Sequence, residues 1–114
     1  MANKDLGTMT REKIVRYAGV AQDFNPIHYD DEFARKAGLP GAIAHGPLTV
    51  LIALDALIAE GAVGQSGVVA TRLKAPVTPG QQLTLSTKED GAFVVLAGET
   101  EALSGTVSAR KGGP

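Results

Sequence analysis

The sequence predicts an α+β domain in which an antiparallel sheet curls around one apolar helix. Helix signals fill the first half of the 114-residue chain and strand signals fill the second half. The most distinctive helix opens at Gly46-Pro47 and continues as LTVLIALDALIAE to Gly61, with apolar residues on nearly all its faces. A chain of this length builds a single core, and a sheet is the element available to cover that helix. We therefore expect one domain over residues 1–114.

Two shorter helices are expected before the apolar one, over residues 11–19 and 31–37. Thr10 and Asp30 carry the side-chain oxygens that N-cap positions favour, and Asp31 is interpreted as a further capping residue.

The second half contains four segments rich in Val, Thr and Leu that partly alternate, as strands do. Pro79-Gly80 and Asp90-Gly91 are turn signals between antiparallel neighbours. The connection over residues 98–101 is a weaker signal. The predicted strands are 66–78, 81–88, 92–97 and 103–110.

The composition excludes several classes of protein. Eleven Lys and Arg against twelve Asp and Glu give a net charge of −1, which offers little attraction to nucleic acid or to an anionic membrane. The absence of cysteine removes disulfides, thiolate nucleophiles and Cys-ligated metal sites. The polar start MANKDLGTMTREK predicts no signal peptide, and no stretch is long enough to span a bilayer. We expect a cytoplasmic protein.

An acid and a base flank a corner of the chain. Asp23 and His28 stand five positions apart across Asn25-Pro26. Because proline lacks an N–H and disfavours helical geometry at the residue before it, the two are not expected on one continuous helix face. A bent loop presents them better, and there they can converge on one small molecule. That arrangement suits proton transfer.

Residues in and beside this corner form a pattern of specific order and spacing. They are Tyr17-Ala18-Gly19, Asp23, Asn25-Pro26-Ile27-His28, Asp30, Phe33-Ala34 and Ala44-His45-Gly46. In this pattern the chain resembles the MaoC-like, or (R)-specific enoyl-CoA hydratase, family. The later stretch Arg72-Leu73-Lys74-Ala75-Pro76-Val77 also resembles a strand of that family. The resemblance implies the hotdog fold, a curled antiparallel sheet around a long helix.

The resemblance also implies a hydro-lyase reaction, the reversible syn addition of water to a trans-2-enoyl thioester. Asp23 and His28 would hold and deprotonate the water, and the backbone N–H of Gly46 would stabilise the thioester enolate. Asn25 and His45 would be supporting residues, with His45 orienting the pocket more than transferring protons. The substrate would be an acyl-CoA or acyl-carrier-protein thioester, and no metal or redox cofactor is implied.

Four positions depart from the family pattern without removing a proposed catalytic atom. Gln22 replaces a glycine before the catalytic aspartate, Pro47 a common methionine, Leu73 an aromatic residue and Gln81 an aspartate. These departures bear on the choice of substrate.

Other functions remain open from the sequence. A homodimer with sheets paired edge to edge is expected, with a higher oligomer as an alternative. The shortness of the chain favours a second interpretation, one subunit of a heteromeric dehydratase whose partner completes the acyl tunnel. A non-catalytic thioester-binding domain has no need of both Asp23 and His28. Hotdog thioesterases generally lack the Asp-x-Asn-Pro-x-His loop.

Overall fold

A computed structural model describes residues 2–63 and 67–109, in which one strand is followed by three helices and four further strands. The helices are α1 (Arg11–Ala21), α2 (Asp31–Lys36) and α3 (Gly46–Ala59). The strands are β1 (Ala2–Thr8), β2 (Gly67–Leu73), β3 (Gln82–Thr87), β4 (Ala92–Ala97) and β5 (Thr100–Ala109). Short 3-10 turns cover Pro26–His28 and Glu89–Gly91.

The five strands form one antiparallel sheet in the order β1-β3-β4-β5-β2. The sheet is not closed, so β1 and β2 are its edges. The predicted α+β architecture is confirmed. The predicted strand ends at residues 66 and 110 lie outside the described residues.

The strand β1 was not predicted. Its segment, ANKDLGT, is almost entirely polar, and only Leu6 packs against the hydrophobic core. The strand forms because its backbone pairs with β3, more than seventy residues later in the chain. A bulge interrupts this pairing at Asp5 and Gly7, where the Gly7 N–H bonds to the Asp5 carboxylate at 2.7 Å.

Several predicted boundaries were wrong by a few residues. The strand β2 ends at Leu73 because the next two N–H groups, of Lys74 and Ala75, both bond to the Ala102 carbonyl. Pro76 then has no N–H with which to continue a ladder. The strand β5 begins at Thr100, before the predicted 103, since the connection from β4 is only two residues long.

The helix α3 covers the sheet with one face. Ala53, Ala56 and Leu57 are buried there, and they belong to the same core cluster as the inward-facing residues of the strands. The core residues beneath them include Leu83, Leu85, Phe93, Val95 and Leu103. The apolar faces of α3 predict burial on most sides, and this was wrong for a single chain, because Leu51 and Ile58 on its opposite face are half exposed. No helix among the described residues is long and apolar enough to cross a membrane.

Replacing Gly105 with alanine should destabilise this sheet. A Cβ at this position would lie 2.5 Å from the Phe93 ring and 2.6 Å from the Ala70 carbonyl oxygen. Since the backbone oxygen belongs to β2, the neighbouring strand would have to shift, and overpacking of this kind costs about 1–3 kcal/mol. Denaturant unfolding measures the loss. The matched control is Gly19→Ala in α1, where a Cβ meets nothing within 4 Å. Equal unfolding free energies for the two variants would contradict this account.

Candidate active site

The end of α1 places the acid of the predicted pair. The helix ends at Gln22, which adopts the left-handed conformation with φ of 57°. The Gln22 side chain folds back and its Nε2 donates to the Gly19 carbonyl at 2.7 Å. The next residue, Asp23, donates its N–H to the Ala18 carbonyl at 3.1 Å. Asp23 is therefore fixed by its backbone to the last turn of α1.

The 3-10 turn places the base. Asn25 caps this turn, since its Oδ1 accepts the Ile27 N–H at 3.2 Å. This is an Asx-type bond, which asparagine favours at a turn. The Asn25 N–H in turn donates to Asp23 Oδ1 at 3.3 Å. One carboxylate oxygen of Asp23 thus holds the corner, and Oδ2 is left to face His28.

The tautomer of His28 follows from its backbone partner. Nδ1 lies 2.8 Å from the Ile43 carbonyl oxygen, which can only accept, so Nδ1 carries a proton. In the neutral ring, Nε2 then has a free lone pair, and it lies 3.7 Å from Asp23 Oδ2. That distance exceeds a direct hydrogen bond and is one that a water molecule can bridge. The imidazole is 8% exposed and the carboxylate 49%, so water reaches the pair from one side.

His45 joins the pair from the start of α3. Its ring is buried and stacks on His28, with centroids 3.6 Å apart and planes 20° apart. His45 Nε2 lies 3.1 Å from the Asp23 carbonyl oxygen, so this nitrogen carries the proton and donates it. Nδ1 is then a buried acceptor without a partner among the described residues. Tyr17 packs edge-on against His45 at 4.9 Å, a contact that the sequence did not predict.

The ring geometry of this cluster disfavours a metal ion shared by both histidines. Ligand atoms of Asp23, His28 and His45 all lie within 4.8 Å of one another. A shared ion would need the two imidazole lone pairs, which lie in the ring planes, to point at the same place. Because the rings are stacked almost in parallel, their lone pairs do not converge. His45 Nε2 also faces a carbonyl, which favours a protonated nitrogen there.

The N-terminus of α3 offers a free donor. The Gly46 N–H makes no hydrogen bond to any residue that the structure describes, and Pro47 has no N–H. Both Leu48 and Thr49 donate to the His45 carbonyl instead. The Gly46 N–H therefore lies at the positive end of the helix dipole, where negative charge is stabilised.

Two apolar cavities lie beside the first turns of α3. The smaller cavity, of about 350 Å³, lies between the first turn of α3, the segments 39–44 and 73–77, and β5, and Gly46 is part of its wall. The larger cavity, of about 650 Å³, is lined by Tyr17, Pro47, Val50, Leu51, Thr71 and Leu73. Both volumes are typical of ligand sites.

Asp31 has a role that the sequence did not predict. Asp30 caps α2 as predicted, with its Oδ1 accepting the Phe33 N–H at 3.0 Å. The prediction that Asp31 is a capping residue was wrong, because its Oδ1 accepts the Ala42 N–H at 2.9 Å and its carboxylate pairs with Arg11 at 3.0 Å. Ala42 directly precedes Ile43, whose carbonyl orients His28. Asp31 therefore tethers the segment that fixes the tautomer of the base.

Replacing Asp31 with asparagine should lower stability in a pH-dependent way. The Ala42 N–H and then the Arg11 guanidinium hold the pKa of the Asp31 carboxyl below its usual range. A lowered pKa means that the charged form stabilises the fold above the unfolded-state pKa, and that this stabilisation is lost as the pH falls through the folded-state pKa. The gap in Tm between wild type and variant should be constant from pH 7 to about 4 and close below that.

The control for this experiment is Asp55→Asn, the same change on the exposed face of α3. A gap between wild type and Asp31→Asn that stays unchanged down to roughly pH 2 would contradict a role of the carboxylate charge.

Known proteins share both the sequence pattern and the architecture. A family model described as "MaoC like domain" matches residues 3–109. Over 90 residues, or 76% of this chain, the sequence is 34% identical to the peroxisomal enoyl-CoA hydratase 2 of Arabidopsis thaliana, of which it covers 29%. The chain spans between 2% and 29% of the length of the curated relatives that it matches.

Solved structures give the same fold. An (R)-hydratase from A. caviae involved in PHA biosynthesis superposes with a TM-score of 0.74 at 21% identity, covering 93% of this chain and 89% of that one. A chain of the ChsH1–ChsH2 complex from Mycobacterium tuberculosis superposes with a TM-score of 0.68 at 20% identity, covering 96% and 94%. The predicted hotdog fold is confirmed.

Proposed function

Because the chain belongs to the MaoC-like dehydratase family, we propose that it catalyses the reversible addition of water to a trans-2-enoyl thioester. The product in the hydration direction is an (R)-3-hydroxyacyl thioester, and the thioester is carried by CoA or by an acyl carrier protein. The hydratases and dehydratases among the relatives support a hydro-lyase. What we propose beyond this reaction class is the substrate and the roles of the individual residues.

One observation carries the proposal, the separation of 3.7 Å between Asp23 Oδ2 and His28 Nε2. Neither atom has a hydrogen-bond partner among the described residues, so a water molecule between them can donate one hydrogen bond to each. The oxygen of that water attacks the β-carbon while the pair takes one of its protons and returns one to the α-carbon. The pair ends in its starting protonation state. General acid–base help of this kind contributes roughly 10²–10⁴-fold.

The thioester oxygen is the second reacting centre. Addition at the β-carbon leaves negative charge on this oxygen, as an enolate. The unpartnered Gly46 N–H at the start of α3 is the donor that we assign to it. The reaction exchanges no electrons with the protein, so the proposal includes no redox cofactor.

His45 and Asn25 act as positioning residues in this proposal. His45 holds the Asp23 backbone through the 3.1 Å bond to its carbonyl and supports the His28 ring by stacking. Asn25 maintains the corner between acid and base through its bonds to Ile27 and Asp23. Neither needs to exchange a proton with the substrate.

An absorbance assay tests the proposed reaction. Hydration removes the conjugated double bond of crotonyl-CoA and of longer enoyl-CoAs, and their ultraviolet absorbance should fall without release of free CoA. Only (R)-3-hydroxyacyl-CoA should be dehydrated in the reverse assay. Release of free CoA without hydration would instead identify a thioesterase. Binding of enoyl-CoA without either reaction would identify a non-catalytic thioester-binding domain.

The protein should be a dimer or a larger assembly. The edge strand β2 leaves one side of its backbone unpaired and exposes Val68 and Leu73, while α3 exposes Leu51 and Ile58. Exposed apolar edges associate readily, and a two-fold pairing of β2 with a second copy would cover this one. Sedimentation at low micromolar concentration should give a dimer. Val68→Lys, which places a charge on the edge, should shift the equilibrium toward monomer.

A stable and active monomer under these conditions would contradict the assembly. Association only with a different hotdog chain, such as the product of a neighbouring gene, would identify the heteromeric dehydratase. Copurification with and without that second chain distinguishes the two cases.

A further inference from the structure

The side chain of Leu73 separates the two cavities. Leu73 is the last residue of β2, and among the described residues it alone lines both the smaller and the larger cavity. In the single chain it is 56% exposed, on the edge that the proposed dimer would cover, and it lies outside the buried core. The Leu73 side chain therefore shapes the two cavities more than it supports the fold.

Leu73 also lies against the proposed oxyanion donor. A Cβ on Gly46 would lie only 2.5 Å from Leu73 Cδ1, which places this methyl group directly over the Gly46 backbone. A thioester oxygen bound by the Gly46 N–H, at about 2.7–3.1 Å, brings its carbonyl carbon next to the same methyl group. Besides the oxygen, that carbon carries the sulfur, whose one further substituent is the same carrier arm in every substrate, and the α-carbon. Acyl groups therefore differ at this point only by substitution at the α-carbon.

The α-carbon lies between the two reacting centres. Tyr17 lines the larger cavity and contacts His45, and Ile43, whose carbonyl oxygen faces His28 Nδ1, lines the smaller one, so both cavities border the Asp23 and His28 pair. The β-carbon has to meet the water of that pair while the thioester oxygen meets the Gly46 N–H, and the α-carbon joins the two. The α-carbon is therefore placed beside Leu73, which lines both cavities.

We propose that Leu73 is a specificity-determining residue that excludes acyl groups branched at the α-carbon, an inference that rests on the proposed function. A methyl branch there competes with Leu73 Cδ1 for the same space. One additional methylene in a packed pocket changes discrimination by roughly 10–200-fold. Shortening Leu73 should admit the branch, and a larger side chain should maintain the exclusion.

The test compares two substrates that differ by one methyl group, crotonyl-CoA and trans-2-methyl-2-butenoyl-CoA. The measured quantity is the ratio of their kcat/KM values. Wild type should prefer the unbranched substrate, Leu73→Ala should reduce this preference by about tenfold or more, and Leu73→Phe should keep or increase it. The matched control is Val68→Ala on the same edge strand, which lines neither cavity and should leave the ratio at the wild-type value.

A binding measurement separates this inference from the proposed function. Calorimetry with butyryl-CoA and 2-methylbutyryl-CoA, which have no double bond to hydrate, gives the corresponding ratio of binding affinities for the unbranched and the branched ligand. If wild type hydrates neither enoyl thioester, the proposed function fails. The ratio of binding affinities alone then tests whether Leu73 excludes the α-branch. A Leu73→Ala ratio within about threefold of wild type overturns the inference, since a single methylene is worth more than that. An equal shift in Val68→Ala also overturns it.

Discussion

Asp23→Asn and His28→Ala should each reduce the hydration rate by at least about 100-fold while leaving the fold intact. The asparagine keeps an Oδ1 that can accept the Asn25 N–H, so the corner of the loop is preserved. What it loses is the negative charge and the free acceptor at Oδ2, which faces His28. The alanine removes Nε2, the other atom that the water is proposed to contact. Turnover of crotonyl-CoA measures both losses.

Because Asp23 and His28 hold the same water, their losses should not add. The double variant should be little slower than either single variant. Asp55→Asn is the control for the same chemical change on an exposed face of α3. Circular dichroism and the Tm of each variant establish that the fold is retained. A folded single variant that keeps more than about a tenth of the wild-type turnover would remove its residue from the proposed mechanism.

Gly46→Ala should lower kcat by roughly 10²-fold and leave the affinity for a saturated acyl-CoA nearly unchanged. The added Cβ would meet Leu73 Cδ1 at 2.5 Å. It would also crowd Pro47, since proline disfavours helical geometry at a preceding residue that has a Cβ. Both contacts turn the N–H away from the enolate oxygen. The loss falls on kcat because that charge appears only in the transition state.

Two control variants distinguish the possible causes of a lower kcat in Gly46→Ala. Gly19→Ala makes the same change where a Cβ meets nothing within 4 Å, and should leave kcat at the wild-type value. Gly46→Ala combined with Leu73→Ala removes the nearest contact, and should recover part of the lost turnover. Equal losses in kcat and in acyl-CoA affinity would mean that the alanine blocks the site, in which case Gly46 is not the oxyanion donor. A crystal structure with the ligand carbonyl on His45 would assign that role to His45.

Elements with local signals could be predicted from the residues alone. Caps act within one turn, and both Thr10 and Asp30 accept the predicted type of N–H bond. The helix α3 begins at Gly46-Pro47 as predicted, because proline suits the first turn of a helix. Asn25 bends the chain through a bond two residues long, which brings Asp23 and His28 to one place. These interactions need no partner from a distant part of the chain.

Other features depend on residues that are distant in the chain, and they could be assigned only from the folded structure. The polar segment of β1 becomes a strand only because the backbone of β3 is beside it. The proton of His28 is assigned by the Ile43 carbonyl, and the segment around Ile43 is held by Asp31 through Ala42. Such bonds depend on where the backbone folds, which residue types and their spacing do not specify. The sequence could therefore nominate the acid and the base, whereas packing set the protonated nitrogen, the 3.7 Å separation of the two side chains and the wall that Leu73 forms beside Gly46.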